Sequence, residues 1–232
     1  MTSALERGRS VPDADPYVPP PDVGIEVVHA EAAFVVLVKP PGLLSEPGRG
    51  PDKRDSLLVR AQVHYPDARI VHRLDMMTSG LVVLARETLA HAVLSEAFRE
   101  RDVYKRYEAL VHGRPADDAG AIALPLVVDW PNRPRQVVCH DTGKASLTHY
   151  RVLGEADVAG VARLARIALE PVTGRTHQLR VHLAALGCPI AGDPFYGPPE
   201  DGAPRMMLHA RELRFAHPLT GEPLAFASAV PF

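Results

Sequence analysis

The chain has 232 residues, and its 26 Lys and Arg nearly balance 28 Asp and Glu, for a net charge of −2. Hydrophobic residues make up 46%, enough for a sizeable core, which excludes a disordered chain and suits one domain, or one domain with an arm. The longest aliphatic runs, Phe34–Val38 and Leu81–Ala85, are far shorter than the ~20 apolar residues of a membrane span.

Residues 1–23 read as a disordered, Pro-rich acidic arm, with Pro12, Pro16, Pro19, Pro20 and Pro21 and no periodicity. Its first ten residues hold no apolar stretch of a secretory leader. Residues 24–232 read as one domain. Two short strands are predicted at Ile25–His29 and Ala33–Lys39, the second ended by Lys39-Pro-Pro-Gly42. A Gly- and Pro-rich loop from Ser45 to Asp55 leads into a short helix at about Ser56–His64. Arg69–His72 and Leu81–Ala85 are apolar stretches around a polar turn. Leu89, Val93, Leu94 and Ala97 have helical spacing, which predicts a helix over Thr88–Arg99 with Thr88 as N-cap. Strands are predicted at Tyr107–Val111, Gln136–His140, Ala145–Leu153 and Ala162–Leu169. A helix over Thr176–Leu186 would place Leu179, Leu183 and Leu186 on one face, and strands at Leu208–Phe215 and Leu224–Ala227 close the chain. Eight to ten strands in meander-like runs against three or four helices predict an α+β domain on a largely antiparallel sheet.

Three segments are dense in reactive side chains. The turn His72-Arg-Leu-Asp-Met-Met-Thr-Ser-Gly80 holds one carboxylate, Asp75, between two core strands, where catalytic residues often lie; an ordinary capped turn has the same composition. In Gly174-Arg-Thr-His-Gln-Leu-Arg180, Arg175, His177 and Arg180 gather at the start of a helix. Leu179 and Leu183 flank Arg180, so it lies near the apolar boundary, where an unpaired charge is costly; the alternative is a solvated basic face. Between Arg99 and Tyr107, bases at 99, 101, 105 and 106 interleave with Tyr104 and Tyr107, a weak pattern for RNA. Residues 1–35 carry a net −4, which leaves +2 for the remainder and room for one basic face. Cys139 and Cys188 form no CxxC, which suits a reducing cytoplasm and excludes a disulfide scaffold or cysteine zinc site. No HExxH, GxGxxG, Walker A or GxSxG occurs, so no metal and no cofactor is expected.

These motifs resemble those of the RluA-type pseudouridine synthases, which isomerise uridine in RNA. His72–Gly80 resembles the family's HRLDxxTSG signature, Lys105–Val111 its KxYxALV strand, and Gly174–Arg180 its GRxHQLR helix. Leu186–Asp193 with Tyr196-Gly197, then Leu208-His-Ala210, follow in the same order. The segment Asp129–Gln136 with Thr142-Gly-Lys144 is most similar to the dual-specificity branch. The resemblance implies the pseudouridine synthase fold over residues 24–232, with a mixed, largely antiparallel sheet, flanking helices and a central catalytic cleft. About 24 residues precede the first strand, too few for an S4 RNA-binding domain.

It also implies roles. Asp75 would attack C1′ or take the 2′ proton, Arg180 would pair with it and keep it ionised, and Tyr107 would stack on the flipped uracil and help remove the C5 proton. Arg73 would fill the space the base leaves. His72, Thr78, Lys105, Arg106, Arg133, Arg135, Arg175 and His177 complete the expected RNA contacts. Expected partners are a tRNA anticodon stem-loop and a 23S rRNA hairpin loop, read by a cytoplasmic monomer without a membrane. The alternatives are a synthase for other large-subunit rRNA sites and a non-catalytic RNA-binding protein on the same fold. A glycoside hydrolase would require a second carboxylate facing Asp75, and neither motif supplies one.

Overall fold

The computed structural model describes residues 17–158, 161–199 and 201–232. Its strands are β1 (Glu26–Ala30), β2 (Phe34–Lys39), β3 (Arg69–Ile70), β4 (Ser79–Ala85), β5 (Tyr104–His112) and β6 (Ala119–Ile122), followed by β7 (Leu126–Val128), β8 (Gln136–Val138), β9 (Thr148–Val158), β10 (Val161–Pro171), β11 (Leu208–Ala216) and β12 (Pro223–Ala227). The α-helices are α1 (Leu57–Gln62), α2 (Thr88–Glu100) and α3 (Gln178–Ala185). One sheet runs β1-β2-β4-β11-β5-β10-β9-β6, with β3 added on β4 and β12 on β11, while β7 and β8 pair separately. Every strand pair is antiparallel except β4 with β11.

The unbroken apolar runs of β2 and β4 mark strands covered on both faces. Phe34 and Val36 meet Leu81, Val83 and Ala85 on one face, under Ala90 and Leu94 of α2. Val35 and Leu37 meet Val82 and Leu84 on the other, under Leu57 and Ala61 of α1. A third cluster joins β5 and β10 to Leu179 and Leu183 of α3.

The α+β reading and its antiparallel sheet hold, with differences in detail. β6 and β7 escaped the sequence pattern because Ala-Gly-Ala-Ile and Leu-Val-Val are too short to show a period. Thr88 is not the N-cap of α2: Glu87 holds that position without a side-chain bond, and Thr88 Oγ1 accepts from Arg69 Nη1 at 3.0 Å. The buried stripe of α2 is Ala90 and Leu94, with Ala97 and Phe98 packed beside them, while Leu89 and Val93 face solvent. Leu186 caps α3 and is exposed.

Of the segment expected to be a free arm, residues 1–16 lie outside the described residues, and the rest is docked. Tyr17 Oη donates to Asp55 O (3.0 Å) and accepts from Leu44 N (3.1 Å). Arg60 donates to the carbonyls of Pro20 (2.6 Å) and Pro21 (3.4 Å) and pairs with Asp55. Carbonyls in a proline run have no ladder partners, so a buried guanidinium finds acceptors there.

Candidate active site

Asp75 lies in the turn between β3 and β4, and both of its neighbours are pinned. Ser45 Oγ donates to Leu74 O (2.8 Å) and accepts from Leu74 N (3.1 Å). Met76 O accepts from Lys39 Nζ and from Gly42 N, each at 2.9 Å. The turn closes through Thr78 N to Asp75 O at 3.0 Å. Lys39 is fully buried, and its other two donors reach Pro40 O and Leu43 O. Burial lowers its pKa to about 7, against the pull of Asp75.

The strand following the turn is aligned with the strand that carries Tyr107. Gly80 pairs with Ala210 of β11 in parallel, and Ala210 pairs with Tyr107 of β5. Gly80 has φ +116°, and a Cβ there would lie 2.3 Å from Ala210 O, so only glycine permits this approach. Gly80, Ala210 and Tyr107 therefore form one row across three strands. Burial, and then the charge of Asp75, raise the pKa of the Tyr107 phenol.

Arg180 arrives on the first turn of α3. That helix begins at Gln178, two residues later than expected, because His177 adopts a left-handed conformation (φ 53°). The Gln178 side chain ties this start to the sheet: its amide oxygen accepts from Thr173 Oγ1 (2.7 Å) and Arg175 N (3.0 Å), and its nitrogen donates to Leu147 O (3.0 Å). Arg180 is 2% exposed. Nε and Nη2 bind the two oxygens of Asp193, each at 2.7 Å, which leaves Nη1 for Asp75 Oδ2 at 3.4 Å. Phe195 and Tyr196 lie against the guanidinium at 5.3 and 5.2 Å. Burial alone would lower the Arg180 pKa; Asp193, and then Asp75, hold it above its usual value. The expected Asp75–Arg180 pair is present, and it hangs on an Asp193 anchor that sequence reasoning did not assign.

Asp75, Thr78, Lys105, Tyr107, His177 and Arg180 line one cleft of about 670 Å³. Six Arg or Lys (Arg73, Arg99, Arg101, Lys105, Arg175, Arg180) border it against two carboxylates, Glu46 and Asp75. The acidic chain thus concentrates positive charge where Asp75 sits. Arg99 and Arg101, bases in the segment read as a weak RNA pattern, join the rim. Arg73 is exposed and paired with Glu46 at 2.6 Å. Arg175 is exposed at the mouth, and His177 Nδ1 meets Tyr196 Oη at 2.8 Å.

Four expected RNA contacts sit differently. Strand alternation turns Arg106 to the face opposite Lys105 and Tyr107, beside Glu212 at 3.8 Å, so it is not a wall of the cleft. His72 lines the cleft but spends its edge on the fold: Nε2 accepts from Val83 N (3.1 Å), and the ring stacks on Phe98 at 4.2 Å. Burial, with Lys105 nearby, lowers its pKa to about 3, so it is neutral and offers phosphate no charge. Arg133 and Arg135 stand outside the cleft on the β7–β8 turn, over the rings of Trp130 (4.7 Å) and Tyr196 (5.4 Å).

A carboxylate with pinned neighbours beside an aromatic, in a cleft rimmed with cations, suits a polyanionic partner. Residues 33–185 match the family model described as RNA pseudouridylate synthase. The dual-specificity RNA pseudouridine synthase RluA of Pasteurella multocida is 46% identical over 93% of this chain and 98% of its own. Its Yersinia pestis counterpart is 47% identical over 89% of this chain and 99% of its own. The human RNA pseudouridylate synthase domain containing 1 structure superposes with a TM-score of 0.78 at 30% identity, over 93% of this chain and 87% of that one. The chain belongs to the RNA pseudouridylate synthase family and is therefore an RNA-modifying isomerase. No described helix is long and apolar enough to cross a membrane.

Proposed function

We propose that this enzyme converts uridine to pseudouridine in small RNA stem-loops, taking both a tRNA anticodon loop and a 23S rRNA hairpin loop. The observation that carries the chemistry is Asp75, held between two pinned neighbours and paired with Arg180 in a basic cleft. Asp75 initiates cleavage of the N1–C1′ bond. The freed uracil turns, C5 bonds to C1′ as Asp75 leaves C1′ or returns its proton to C2′, the C5 proton leaves, and N1 gains one, so the product is an isomer. Tyr107 stacks on the base. Its hydroxyl, kept protonated by burial and by the Asp75 charge, lies in the same cleft as Asp75 and assists removal of the C5 proton.

Two substrates are supported by the 46% likeness, over nearly the whole chain, to a relative described as dual-specificity. A compact site suits a loop recognised by its shape, with phosphates met by the Arg and Lys of the rim. In this reading the enzyme works as a monomer in the cytoplasm.

The test maps pseudouridine in tRNA and large-subunit rRNA from cells with and without the protein, and follows tritium release from C5-labelled RNA. One site should vanish from each RNA class, and an isolated anticodon stem-loop should react nearly as well as whole tRNA. If only intact ribosomal subunits reacted, a large-subunit-specific synthase would replace this reading. RNA binding without tritium release would make the protein a non-catalytic binder.

A further inference from the structure

The turn between β7 and β8 carries Trp130, which is 65% exposed although indole is the largest apolar side chain available. The turn around it is tightly braced. Asp129 N donates to Arg135 O (2.9 Å), Asn132 N to Asp129 O (3.0 Å), and Arg135 N to Asn132 O (3.0 Å). Asn132 Nδ2 adds a bond to Asp129 Oδ2 at 2.8 Å. Arg133 lies 4.7 Å from the indole centroid and places a cation on the ring. The turn is tied to the cleft wall: Gln136 N donates to Tyr196 Oη (2.7 Å), the hydroxyl that meets His177, and the Tyr196 ring lies against Arg180.

A rigid, exposed aromatic ring backed by a guanidinium, on a turn linked through Tyr196 to the His177 of a basic cleft, fits an unpaired nucleobase with its phosphate. We propose that Trp130, backed by Arg133, is a stacking platform for a loop base other than the reacting uridine, on the α3 side of the cleft. The platform rests on the stem-loop substrate proposed above. It fixes how the loop lies on the enzyme and adds a choice of RNA shape that Asp75 does not make.

Trp130 is the only tryptophan in the chain, so indole fluorescence reports this site alone. The Asp75→Asn enzyme is titrated with an anticodon stem-loop, and binding is measured in parallel by anisotropy of end-labelled RNA. Indole emission should be quenched along the same binding curve, and an abasic nucleotide walked through the loop should remove the quench at one position. In the wild-type background, Trp130→Ala should raise KM about tenfold, the effect of one lost stack, with a much smaller fall in kcat. Trp130→Phe should recover most of that loss. Trp130→Ala should leave the slope of binding against log salt unchanged, whereas Arg133→Ala should lower it by about 0.7. Binding by anisotropy without any change in indole emission, or an unchanged KM in Trp130→Ala, would overturn the platform and leave pseudouridine formation standing. A blue shift that grows with protein concentration in the absence of RNA would instead make the face a contact between copies and also overturn it. Absence of both binding and pseudouridine would remove the stem-loop reading, and the platform with it.

Discussion

At the scale of single residues, the site is an acid whose freedom has been taken away. Ser45 holds Leu74, Lys39 and Gly42 hold Met76, and Arg180 meets the carboxylate between them. Asp75→Asn keeps these backbone bonds and the side-chain volume but removes the proposed nucleophile or base. It should abolish tritium release while stem-loop affinity stays within about tenfold, or ~1.4 kcal/mol. Normal turnover in that variant would move the chemistry to another residue. Tyr107→Phe keeps the stacking face and removes the hydroxyl, so binding should persist and the reaction should stall after glycosidic cleavage. Rapid-quench analysis of RNA trapped on the enzyme reads that step, and equal rates for Phe and Tyr would confine Tyr107 to stacking. Asp75, Tyr107 and Arg180 were legible in the sequence because three separated motifs each supplied one of them. Asp193 was not, since nothing in Gly192-Asp-Pro announces that both its oxygens are committed to Arg180. Lys39 was hidden as well: a lysine ending a strand before two prolines reads as a solvated boundary, and only the fold brings Leu43 O and Met76 O around its amine.

At the scale of elements, the long covered strands were readable, and two short ones, β6 and β7, were not. β2 and β4 announce themselves by apolar runs that two packed faces require, whereas β6 and β7 are held by their partners and carry no period of their own. Arg106 shows the finer difficulty. A run of bases looks continuous in sequence, but the two-residue period of β5 sends Lys105 and Tyr107 to the cleft and Arg106 to Glu212. The pairing of β4 with β11 carries the most functional weight, because it sets the Asp75 turn in line with Tyr107. Gly80→Ala puts a methyl 2.3 Å from Ala210 O at a backbone angle that L-residues rarely adopt. The two faults together should cost at least ~2 kcal/mol of stability. Urea unfolding checks this, and turnover of the fraction still folded should fall as well, because β11 must move away from β4. A Gly80→Ala enzyme with wild-type stability and rate would mean that the close strand approach is unimportant.

At the scale of the whole molecule, the fold gathers cations around one carboxylate and buries one of its lysines directly behind it. An amine without its proton has two donors, so three carbonyl bonds require Lys39 to be the ammonium. Burial nevertheless brings its pKa to about 7, whereas an unfolded chain holds lysine near its ordinary ~10.4. Between these values the unfolded chain binds more protons at this group than the folded one, so the contribution of Lys39 to the unfolding free energy rises with pH across that window. Its share of the slope is at most ~1.4 kcal/mol per pH unit. Below pH 7 the cost of the buried charge is constant, and any further pH dependence there belongs to groups such as His209, which burial lowers to about 4, and His72. These histidines withdraw stability as pH falls from ~6.5, in a window separate from that of the lysine. Urea midpoints at pH 7, 8 and 9, below the range where the tyrosines ionise, should therefore climb in the wild type. In Lys39→Met they should start lower, because the three carbonyls lose their donor, and should climb less steeply. Parallel slopes in the two proteins would show that Lys39 keeps its proton throughout, and that the carbonyls of Pro40, Leu43 and Met76 outweigh the burial that strips the amine of water.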